Sequence, residues 1–293
     1  MLESISIKSY AKLNLYLEIT GKDSRNYHYL KTVMQSISLH DDLKFIVSDG
    51  EGINILCDKS EIPTDSSNLV WKAIEAFYDY TGLEKKSIDV MIKKKIPMMA
   101  GLAGGSSNAA AALHAMNRLY DNPLSVEQLC EIGGKIGSDI PFCVMGGTVL
   151  CEGFGEKLTP LNSIVPCSFI VVKPEEGIST PQAYMDFDSA EVTERPDFSL
   201  LKNGLENNNI FDICSGLYND LDITCKVSSV SKIKNSLNQL GALNSMMTGS
   251  GSAVYGVFED EESADKAADF LSNKYPLMGV YTPVNSGTEI IEQ

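Results

Sequence analysis

One glycine-rich segment, residues 97–107, restricts the fold of this chain more than any other feature of its sequence. It follows the alternating stretch Ile88–Ile92 and precedes an alanine-rich stretch that runs to Tyr120. A strand, a glycine loop and a helix in this order direct several backbone N–H groups and the positive end of a helix dipole toward one place, which suits a phosphate group. Close helix packing uses the same residue types, so the segment alone is weak evidence for a phosphate site. Its residues are Pro97, Met98, Met99, Ala100, Gly101, Leu102, Ala103, Gly104, Gly105, Ser106 and Ser107.

The remaining hydrophobic pattern mixes strands and helices without a regular alternation. From Leu13 to Ile19 every second residue is apolar, which is the period of a half-buried strand, and the polar face of this strand carries Lys12 and Asn14. The mixture predicts an α+β fold rather than a doubly wound parallel sheet. Further strands are predicted at residues 43–47, 53–57, 88–92, 169–172, 253–258 and 279–282, a hairpin at 146–158, a linker at 160–166, and helices at 67–82, 106–120, 125–137, 227–241 and 261–271.

Composition excludes several classes of protein. The 293 residues, 43% of them hydrophobic, are enough for two domains with buried cores. The net charge of −15 argues against nucleic-acid binding, because little would neutralise backbone phosphates. The seven cysteines form no Cys-x-x-Cys pair and the three histidines lie at no metal-ligand spacing, so we expect free thiols in a reducing compartment and no zinc site. No apolar run approaches the ~20 residues that span a bilayer, and no secretory signal is recognisable, so we expect a cytoplasmic protein without membrane contact.

The glycine-rich segment is not a P-loop, because no Gly-Lys-Ser or Gly-Lys-Thr occurs in it. Its pattern Pro-x-x-x-Gly-Leu-x-x-x-Ser-Ser instead resembles the second motif of the GHMP kinase superfamily. Four other segments, residues 11–15, 26–30, 137–142 and 248–251, resemble the same family in the same order. Five motifs in one order, spread over both halves of the chain, are a specific signal.

The resemblance implies an α+β fold of two domains. Residues 1–162 would form an N-terminal GHMP kinase domain similar to domain 2 of ribosomal protein S5, with the ATP loop and the catalytic residues. Residues 163–293 would form a C-terminal domain with a ferredoxin-like α/β plait that closes over substrate and phosphate. The active site would lie in the cleft between them.

The same resemblance implies that ATP and Mg²⁺ are the cofactors. ATP would lie on residues 97–107, with Asn68, Lys94 and Asn108 near the adenine. Mg²⁺ would bridge the ATP phosphates, held mainly by phosphate oxygens and water rather than by a protein metal site. Without the resemblance, these three residues are most simply a helix cap, a solvated lysine and a polar residue in the first turn of a helix.

Carried over by position, the resemblance implies that Lys12 and Asp139 are the catalytic pair. A carboxylate at a substrate hydroxyl can orient it and accept its proton, and a lysine can stabilise the charge on the transferring phosphoryl group. Without the resemblance, Asp139 would be read as a turn acid beside Pro141, and Lys12 as a solvated strand residue.

The form Gly-Leu-Ala-Gly-Gly-Ser-Ser-Asn resembles the branch of the family that phosphorylates the 2-hydroxyl of diphosphocytidyl methylerythritol in the non-mevalonate isoprenoid pathway. The usual Asp-Gly before Tyr-His in this branch is Arg25-Asn26 here, which removes a glycine from the turn. The implied substrate contacts are Tyr27 and His28 at the cytosine, Tyr184 and its neighbour Thr180 in the stacking segment, Asn14 at the substrate hydroxyls, and Gly249, Ser250 and Gly251 at the phosphate end.

Two alternatives stay open at this stage. Another GHMP kinase, of the homoserine or mevalonate type, would need no cytosine contact from Tyr27, His28 or Tyr184. A non-catalytic nucleotide-binding protein could keep the fold, although the intact Lys12 and Asp139 argue against it. We expect a monomer or a weak homodimer. The role of residues 186–209 stays open, and only the closing residues 206–209 indicate a polar loop.

Overall fold

The structure is a computed structural model that describes residues 3–192, 194–272, 274–275 and 277–291. Among these residues, no helix is both long enough and apolar enough to cross a bilayer. The strands are β1 (Ser4–Lys22), β2 (His28–Ser48), β3 (Gly52–Cys57), β4 (Ser87–Lys93), β5 (Thr148–Gly153), β6 (Lys157–Pro160), β7 (Ser168–Lys173), β8 (Tyr218–Asn219), β9 (Asn244–Met247), β10 (Val254–Phe258), β11 (Leu277–Tyr281) and β12 (Thr288–Ile291). The helices are α1 (Leu69–Thr81), α2 (Gly104–Leu119), α3 (Val126–Ile136), α4 (Ile140–Met145), α5 (Thr180–Asp188), α6 (Phe198–Glu206), α7 (Ile210–Ser215), α8 (Asp220–Ile223), α9 (Ser228–Gln239) and α10 (Glu261–Leu271).

The larger sheet is built on β1 and β2, which pair antiparallel over most of their length. Its strand order is β12-β1-β2-β4-β3, while β5 and β6 extend from β2 and β8 pairs with β1. Alternate apolar residues such as Ile7, Phe45 and Val90 form a buried core with α1 to α4. The alternation predicted at residues 13–19 therefore belongs to a longer strand whose first part is covered by these helices.

The smaller sheet has the order β11-β7-β10-β9, with all neighbours antiparallel. Val230 and Ile233 of α9 and Ala264 of α10 are buried in a core with strand residues such as Ile170 and Val254. The prediction of an α+β fold with two units is confirmed by these two separate helix-covered sheets.

A third core joins the two sheets. It contains Ala11 and Leu13 of β1 together with Phe169 of β7 and Tyr255 of β10. The Tyr255 hydroxyl also donates a hydrogen bond of 2.9 Å to the backbone carbonyl of Asn14. Because packed cores tolerate little displacement, the stretch of β1 that carries Lys12 and Asn14 is held rigidly between the two sheets.

Strands from late in the chain complete the larger sheet on the outer side of β1. Residues 288–291 pair with residues 6–9, and residues 218–219 pair with residues 16–17. The predicted division at residue 162 stays a prediction, and two strands from beyond that residue pair with β1.

The stretch of residues 186–209, whose role the sequence leaves open, is partly helical, and residues 207–209 form the turn between α6 and α7. This stretch contains α6, which opens where the Asp197 side chain accepts a hydrogen bond of 2.9 Å from the Ser199 N–H and buries Leu201 and Leu205. Its last residue, Asn209, caps α7 by accepting from the Phe211 N–H at 3.0 Å. Polar residues at these positions serve as caps, which satisfy the free N–H groups at the start of a helix.

Candidate active site

A cleft of about 650 Å³ opens between the start of α2, the adjoining parts of β1 and β2, and the start of α5. Residues of the larger sheet and residues of the β9–β10 turn in the smaller sheet both line this cleft. Ser107, Tyr27 and His28 are not among the residues that line it. The predicted residues that do line it are Lys12, Asn14, Asn68, Lys94, Pro97 to Ser106, Asn108, Asp139, Thr180, Tyr184 and Gly249 to Gly251.

The N-terminus of α2 faces this cleft without a side-chain cap. The helix begins at Gly104, two residues before its predicted start at Ser106, because Ala103 adopts a left-handed conformation with φ of 57° and ends the loop. Within the described part of the chain, the N–H groups of residues 104–106 have no hydrogen-bond acceptor. The buried hydroxyl of Ser107 donates to the Tyr10 carbonyl at 2.6 Å, so its contact with ATP stays a prediction. The helix therefore offers free donors and the positive end of its dipole to an anion.

Gly101 marks a close approach between the glycine-rich segment and the β9–β10 turn. Its φ is +72°, and a Cβ at this position would lie 2.1 Å from the Thr248 carbonyl oxygen. Only glycine combines this conformation with this contact at low cost. The contact brings residues 248–251 against the phosphate end of the cleft.

We expect Gly101→Ala to lower the free energy of unfolding by about 2 kcal/mol or more, because it adds both an unfavourable φ and a clash with backbone. Urea denaturation would measure the loss. The matched control is Gly134→Ala in α3, where a Cβ would meet only Pro141 Cγ at 3.5 Å, so that stability should rise slightly or stay constant. Equal stabilities for the two variants would contradict the role given to Gly101.

Lys12 is buried and lies at the centre of a polar network. Its Nζ donates to Asn14 Oδ1 at 2.5 Å, the Asn14 amide donates to Thr32 Oγ1 at 2.8 Å, and Thr32 donates to the Tyr16 carbonyl at 2.5 Å. A Cβ on Gly249 would lie 3.2 Å from Lys12 Nζ, so the β9–β10 turn passes directly over the ammonium group. Among the described residues, Asn14 is the only hydrogen-bond acceptor for the Lys12 ammonium group. An ammonium group carries three donors, so two of them are available to a ligand.

Asp139 precedes α4 and is half-buried at the cleft. Its side chain makes no capping hydrogen bond, although its position at the helix start would permit one. Burial raises the pKa values of the Cys143 and Cys151 thiols well above the usual range for cysteine. The charge of Asp139 raises both pKa values further, and the charge of Lys12 lowers them. Both charges therefore lie near the same two thiols. Lys12 and Asp139 both line the cleft, and within the described residues no ion pair of 4.0 Å or less joins them.

Lys94 is not the solvated lysine that its sequence context suggests. Only 6% of its side chain is exposed, and its ammonium forms an ion pair with the fully buried carboxylate of Asp41. The same carboxylate accepts hydrogen bonds from the Lys95 and Ile96 N–H groups at 2.6 and 2.8 Å. A Cβ on Gly104 would lie 3.2 Å from Lys94 Nζ. Asp41 therefore fixes the Lys94 ammonium beside the open end of α2, and it is a contributor that sequence reasoning missed.

Asn68 and Asn108 line the cleft while also serving the local structure. Asn68 Oδ1 accepts from the Val70 N–H at 2.9 Å, and its amide donates to the Pro63 carbonyl at 2.6 Å, so it does cap α1. Asn108 accepts a hydrogen bond of 2.6 Å from the Ser9 hydroxyl. These bonds fix both amides where they border the cleft.

The start of α5 forms another part of the cleft wall. Tyr184 lines the cleft, and burial raises the pKa of its phenol. The ring of His28 stacks on Tyr184 with centroids 4.4 Å apart and planes 23° apart. Thr180 Oγ1 and Ser250 Oγ lie 2.9 Å apart, which joins α5 to the β9–β10 turn. His28 thus lies behind the aromatic wall of the cleft rather than in its lining.

The altered turn before Tyr27 keeps a tight geometry without glycine. Asn26 takes the left-handed conformation with φ of 65°, which asparagine tolerates better than most residues. Asp23 closes the turn by accepting from the Arg25 and Tyr27 N–H groups at 2.8 and 2.9 Å. Tyr27 itself is 63% exposed and meets Phe154, which lines the cleft, edge to face at 6.5 Å. The direct contact of Tyr27 with substrate stays a prediction.

Comparisons with known proteins agree in both sequence and fold. The GHMP kinases N-terminal domain family matches residues 68–147, and the GHMP kinases C-terminal family matches residues 189–277. The chain is 42% identical to 4-diphosphocytidyl-2-C-methyl-D-erythritol kinase of Clostridium novyi over 92% of this chain and 96% of the relative, and 40% identical to the protein of that name from Acetivibrio thermocellus over 93% and 96%. A crystal structure of 4-(cytidine 5'-diphospho)-2C-methyl-D-erythritol kinase superposes with a TM-score of 0.81 at 25% identity, covering 95% of this chain and 98% of that one. Homoserine kinase from Cytophaga hutchinsonii shares the fold, with a TM-score of 0.77 at 19% identity over 99% and 98% of the two chains.

Proposed function

The chain belongs to the GHMP kinase family, and we propose that its Lys12 and Asp139 catalyse transfer of the terminal phosphoryl group of ATP to the 2-hydroxyl of 4-diphosphocytidyl-2-C-methyl-D-erythritol. It is an ATP-dependent small-molecule kinase, and this reaction is a step of the non-mevalonate route to isoprenoid precursors. One observation carries the residue assignment. A single cleft holds an uncapped helix N-terminus, an ammonium group with unused donors and a carboxylate without a capping role.

The start of α2 is the proposed site of the ATP phosphates. Its free N–H groups and its dipole both favour an anion, and the Lys94 ammonium, held by Asp41, lies beside Gly104 as a further donor. Mg²⁺ bound with ATP would neutralise part of the phosphate charge. Among the described residues, no group of three or more His, Cys, Asp or Glu side chains could hold a metal ion. We therefore propose that phosphate oxygens and water supply most of the ligands of Mg²⁺.

Asp139 is the proposed acceptor of the substrate proton. The alcohol donates its hydrogen bond to the carboxylate, the alcohol oxygen forms the new bond to phosphorus, and the bond between phosphorus and the ADP oxygen breaks. The proton passes to Asp139 as this transfer proceeds. A carboxylate that caps no helix is free to turn toward the alcohol.

Lys12 is the proposed stabiliser of the transferring group. Asn14 accepts one hydrogen bond from the Lys12 ammonium group. The two remaining donors of the ammonium group can bind a phosphoryl oxygen or the Asp139 carboxylate. Because Lys12 is buried between two sheets, it needs little reorganisation when charge develops, and fixed donors in a site with little water stabilise such charge strongly. In this role, Lys12 takes the place of the lysine that a P-loop would supply.

We expect Tyr184→Ala to raise the KM for the diphosphocytidyl substrate about tenfold, because stacking of a base on an aromatic ring contributes about 1–3 kcal/mol. The KM for ATP should stay constant, since the glycine-rich segment binds ATP from the other wall. Tyr184→Phe is the matched control, which keeps the ring and should retain the wild-type KM. Steady-state kinetics with each substrate varied in turn would measure both. A fall in kcat with no change in KM would count against a stacking role.

Turnover by the purified protein tests the proposed function. The protein is incubated with ATP, Mg²⁺ and either the diphosphocytidyl substrate, homoserine or mevalonate, and the product is identified by ³¹P NMR. We expect a phosphomonoester on the 2-hydroxyl of the first substrate and no product from the others. Turnover of homoserine or mevalonate alone would favour the alternative kinases, and turnover of none would favour a nucleotide-binding protein without activity.

We also propose that the protein acts in the cytoplasm. All seven cysteines are free thiols in the structure, which is typical of a reducing compartment. Action as a monomer or weak homodimer, and the absence of nucleic-acid binding, stay predictions.

A further inference from the structure

Asn219 of β8 binds the backbone of the β9–β10 turn from a buried position outside the cleft. Its side chain is 1% exposed and is not among the residues that line the cleft. Its Nδ2 donates to the Met247 carbonyl at 2.8 Å and to the Gly249 carbonyl at 2.9 Å. Its Oδ1 accepts from the Leu221 N–H at 2.9 Å. Because an amide carries its donors on nitrogen only, the reversed orientation would set oxygen against two carbonyl oxygens, so these partners fix the side chain.

The same residue is anchored to the strand that carries the proposed catalytic lysine. Asn219 lies opposite Leu17 in the pairing of β8 with β1. On the turn, the hydroxyl of Thr248 accepts a hydrogen bond of 3.0 Å from the Asn14 N–H. The turn that passes over Lys12 is therefore held to β1 directly by one residue and through β8 by another.

The bond to Gly249 determines the direction of the next N–H group. The C=O and N–H of a trans peptide point in opposite directions, so a Gly249 carbonyl directed at Asn219 turns the Ser250 N–H away from Asn219. Gly249 and Ser250 line the cleft and Asn219 does not, so this N–H is directed to the cleft side of the turn. Within the described part of the chain the Ser250 N–H has no hydrogen-bond acceptor, and it is available to a ligand.

Without Asn219, nothing in the local chain would favour this orientation. Gly249 has φ of +54°, and glycine takes both positive and negative φ at little cost, so the peptide between Gly249 and Ser250 can rotate. A rotated peptide would present a carbonyl oxygen to the cleft, which repels a phosphate, in place of an N–H donor, which binds it. The two hydrogen bonds from Asn219 oppose this rotation.

We propose that Asn219 is a positioning residue for phosphoryl transfer, which keeps the Ser250 N–H directed at the transferring group beside Lys12. The inference rests on the proposed function, since it assigns a second fixed donor to the same reacting phosphoryl group. It also explains why a polar side chain is fully buried at this edge of β1, where β8 has only two residues.

Substitution of Asn219 by aspartate tests the inference. Asn219→Asp keeps the shape and the acceptor for the Leu221 N–H, but it sets a carboxylate oxygen against the Gly249 carbonyl. We expect kcat to fall about 10²-fold, the lower end of the loss that follows removal of one fixed donor to developing charge. The KM values for ATP and for the diphosphocytidyl substrate should stay within about twofold of wild type, because a donor to developing charge acts mainly on the transition state.

The matched control is Asn117→Asp near the end of α2. Asn117 is 7% exposed, its amide donates to the Leu124 carbonyl at 3.0 Å, and its Oδ1 accepts from the Leu124 N–H at 3.0 Å. It therefore loses the same kind of bond, but it does not line the cleft. Urea denaturation should show that both aspartate variants lose stability, whereas kcat should fall only in Asn219→Asp.

A second variant, Asn219→Ser, keeps the inference testable if the aspartate variant does not fold. It removes both bonds to the turn without adding a charge, and we expect kcat to fall at least tenfold with little change in either KM. A wild-type kcat in a folded Asn219 variant, or a higher KM for ATP at constant kcat, would overturn the inference and leave Asn219 with a structural role or a role in nucleotide binding. Absence of turnover by wild type would instead contradict the proposed function.

Discussion

Asp139→Asn is expected to lower kcat about 10³-fold, within the range of about 10²–10⁴ that general base catalysis contributes. The amide has the shape of the carboxylate and can still contact the alcohol, but it cannot accept the proton. Because Asp139 caps no helix, the substitution should leave the free energy of unfolding unchanged within about 0.5 kcal/mol. Single-turnover measurements with saturating ATP would separate the chemical step from product release.

The matched control for this loss is Asp260→Asn. Asp260 caps α10 by accepting from the Ser263 N–H at 2.7 Å, far from the residues of the cleft. Asparagine caps helices as well as aspartate does, so activity and stability should both equal the wild type. Full turnover by Asp139→Asn would show that the proton leaves by another route and would remove Asp139 from the mechanism.

Lys12→Met is expected to lower kcat about 10²–10³-fold, as removal of one fixed donor to developing charge does in other enzymes. Methionine keeps most of the length and apolar volume of the lysine stem. Within the described residues, Lys12 is buried without a carboxylate partner, and burial of such an ammonium group costs free energy that an apolar residue of similar size does not, so the variant should unfold at no lower urea concentration than wild type. The KM for ATP should change little if Lys12 acts mainly on the transferring group.

Lys266→Met provides the comparison for this variant. Lys266 lies on α10 with 73% of its side chain exposed and forms an ion pair with Glu262, so its substitution should affect neither kcat nor stability. A large rise in the KM for ATP in Lys12→Met, with kcat unchanged, would instead assign Lys12 to nucleotide binding.

The elements and residues that sequence reasoning identified correctly are those with a local signal. The two-residue period from Leu13 to Ile19 marks a strand, and the glycine loop before an alanine-rich stretch marks the start of α2. The resemblance supplied the long-range arrangement, since no local pattern shows that Lys12 and Asp139 share one cleft. The side chains of Asp197 and Asn209 cap α6 and α7 in the structure. These helices were not predicted, because they are short and bury too few apolar residues to show a clear period.

What sequence reasoning missed depends on contacts between distant segments. Asp41 is paired with Lys94 although 53 residues separate them, and Asp188 contacts His28 across 160 residues. In the sequence each of these acids has the appearance of a surface residue. The pairing is visible only after the strands and α5 have packed, because it is the packing that removes water from the lysine and the histidine.

The completion of β1 by residues 218–219 and 288–291 has a consequence for folding kinetics. One edge of β1 pairs with β2, its neighbour in the chain, but the outer edge must wait for segments that are 200 or more residues away. Contacts of such long sequence separation form slowly because the loop they close is costly in entropy. In a refolding experiment, catalytic activity should therefore return more slowly than helical circular dichroism, since the strand that carries Lys12 becomes rigid only when its outer edge is paired.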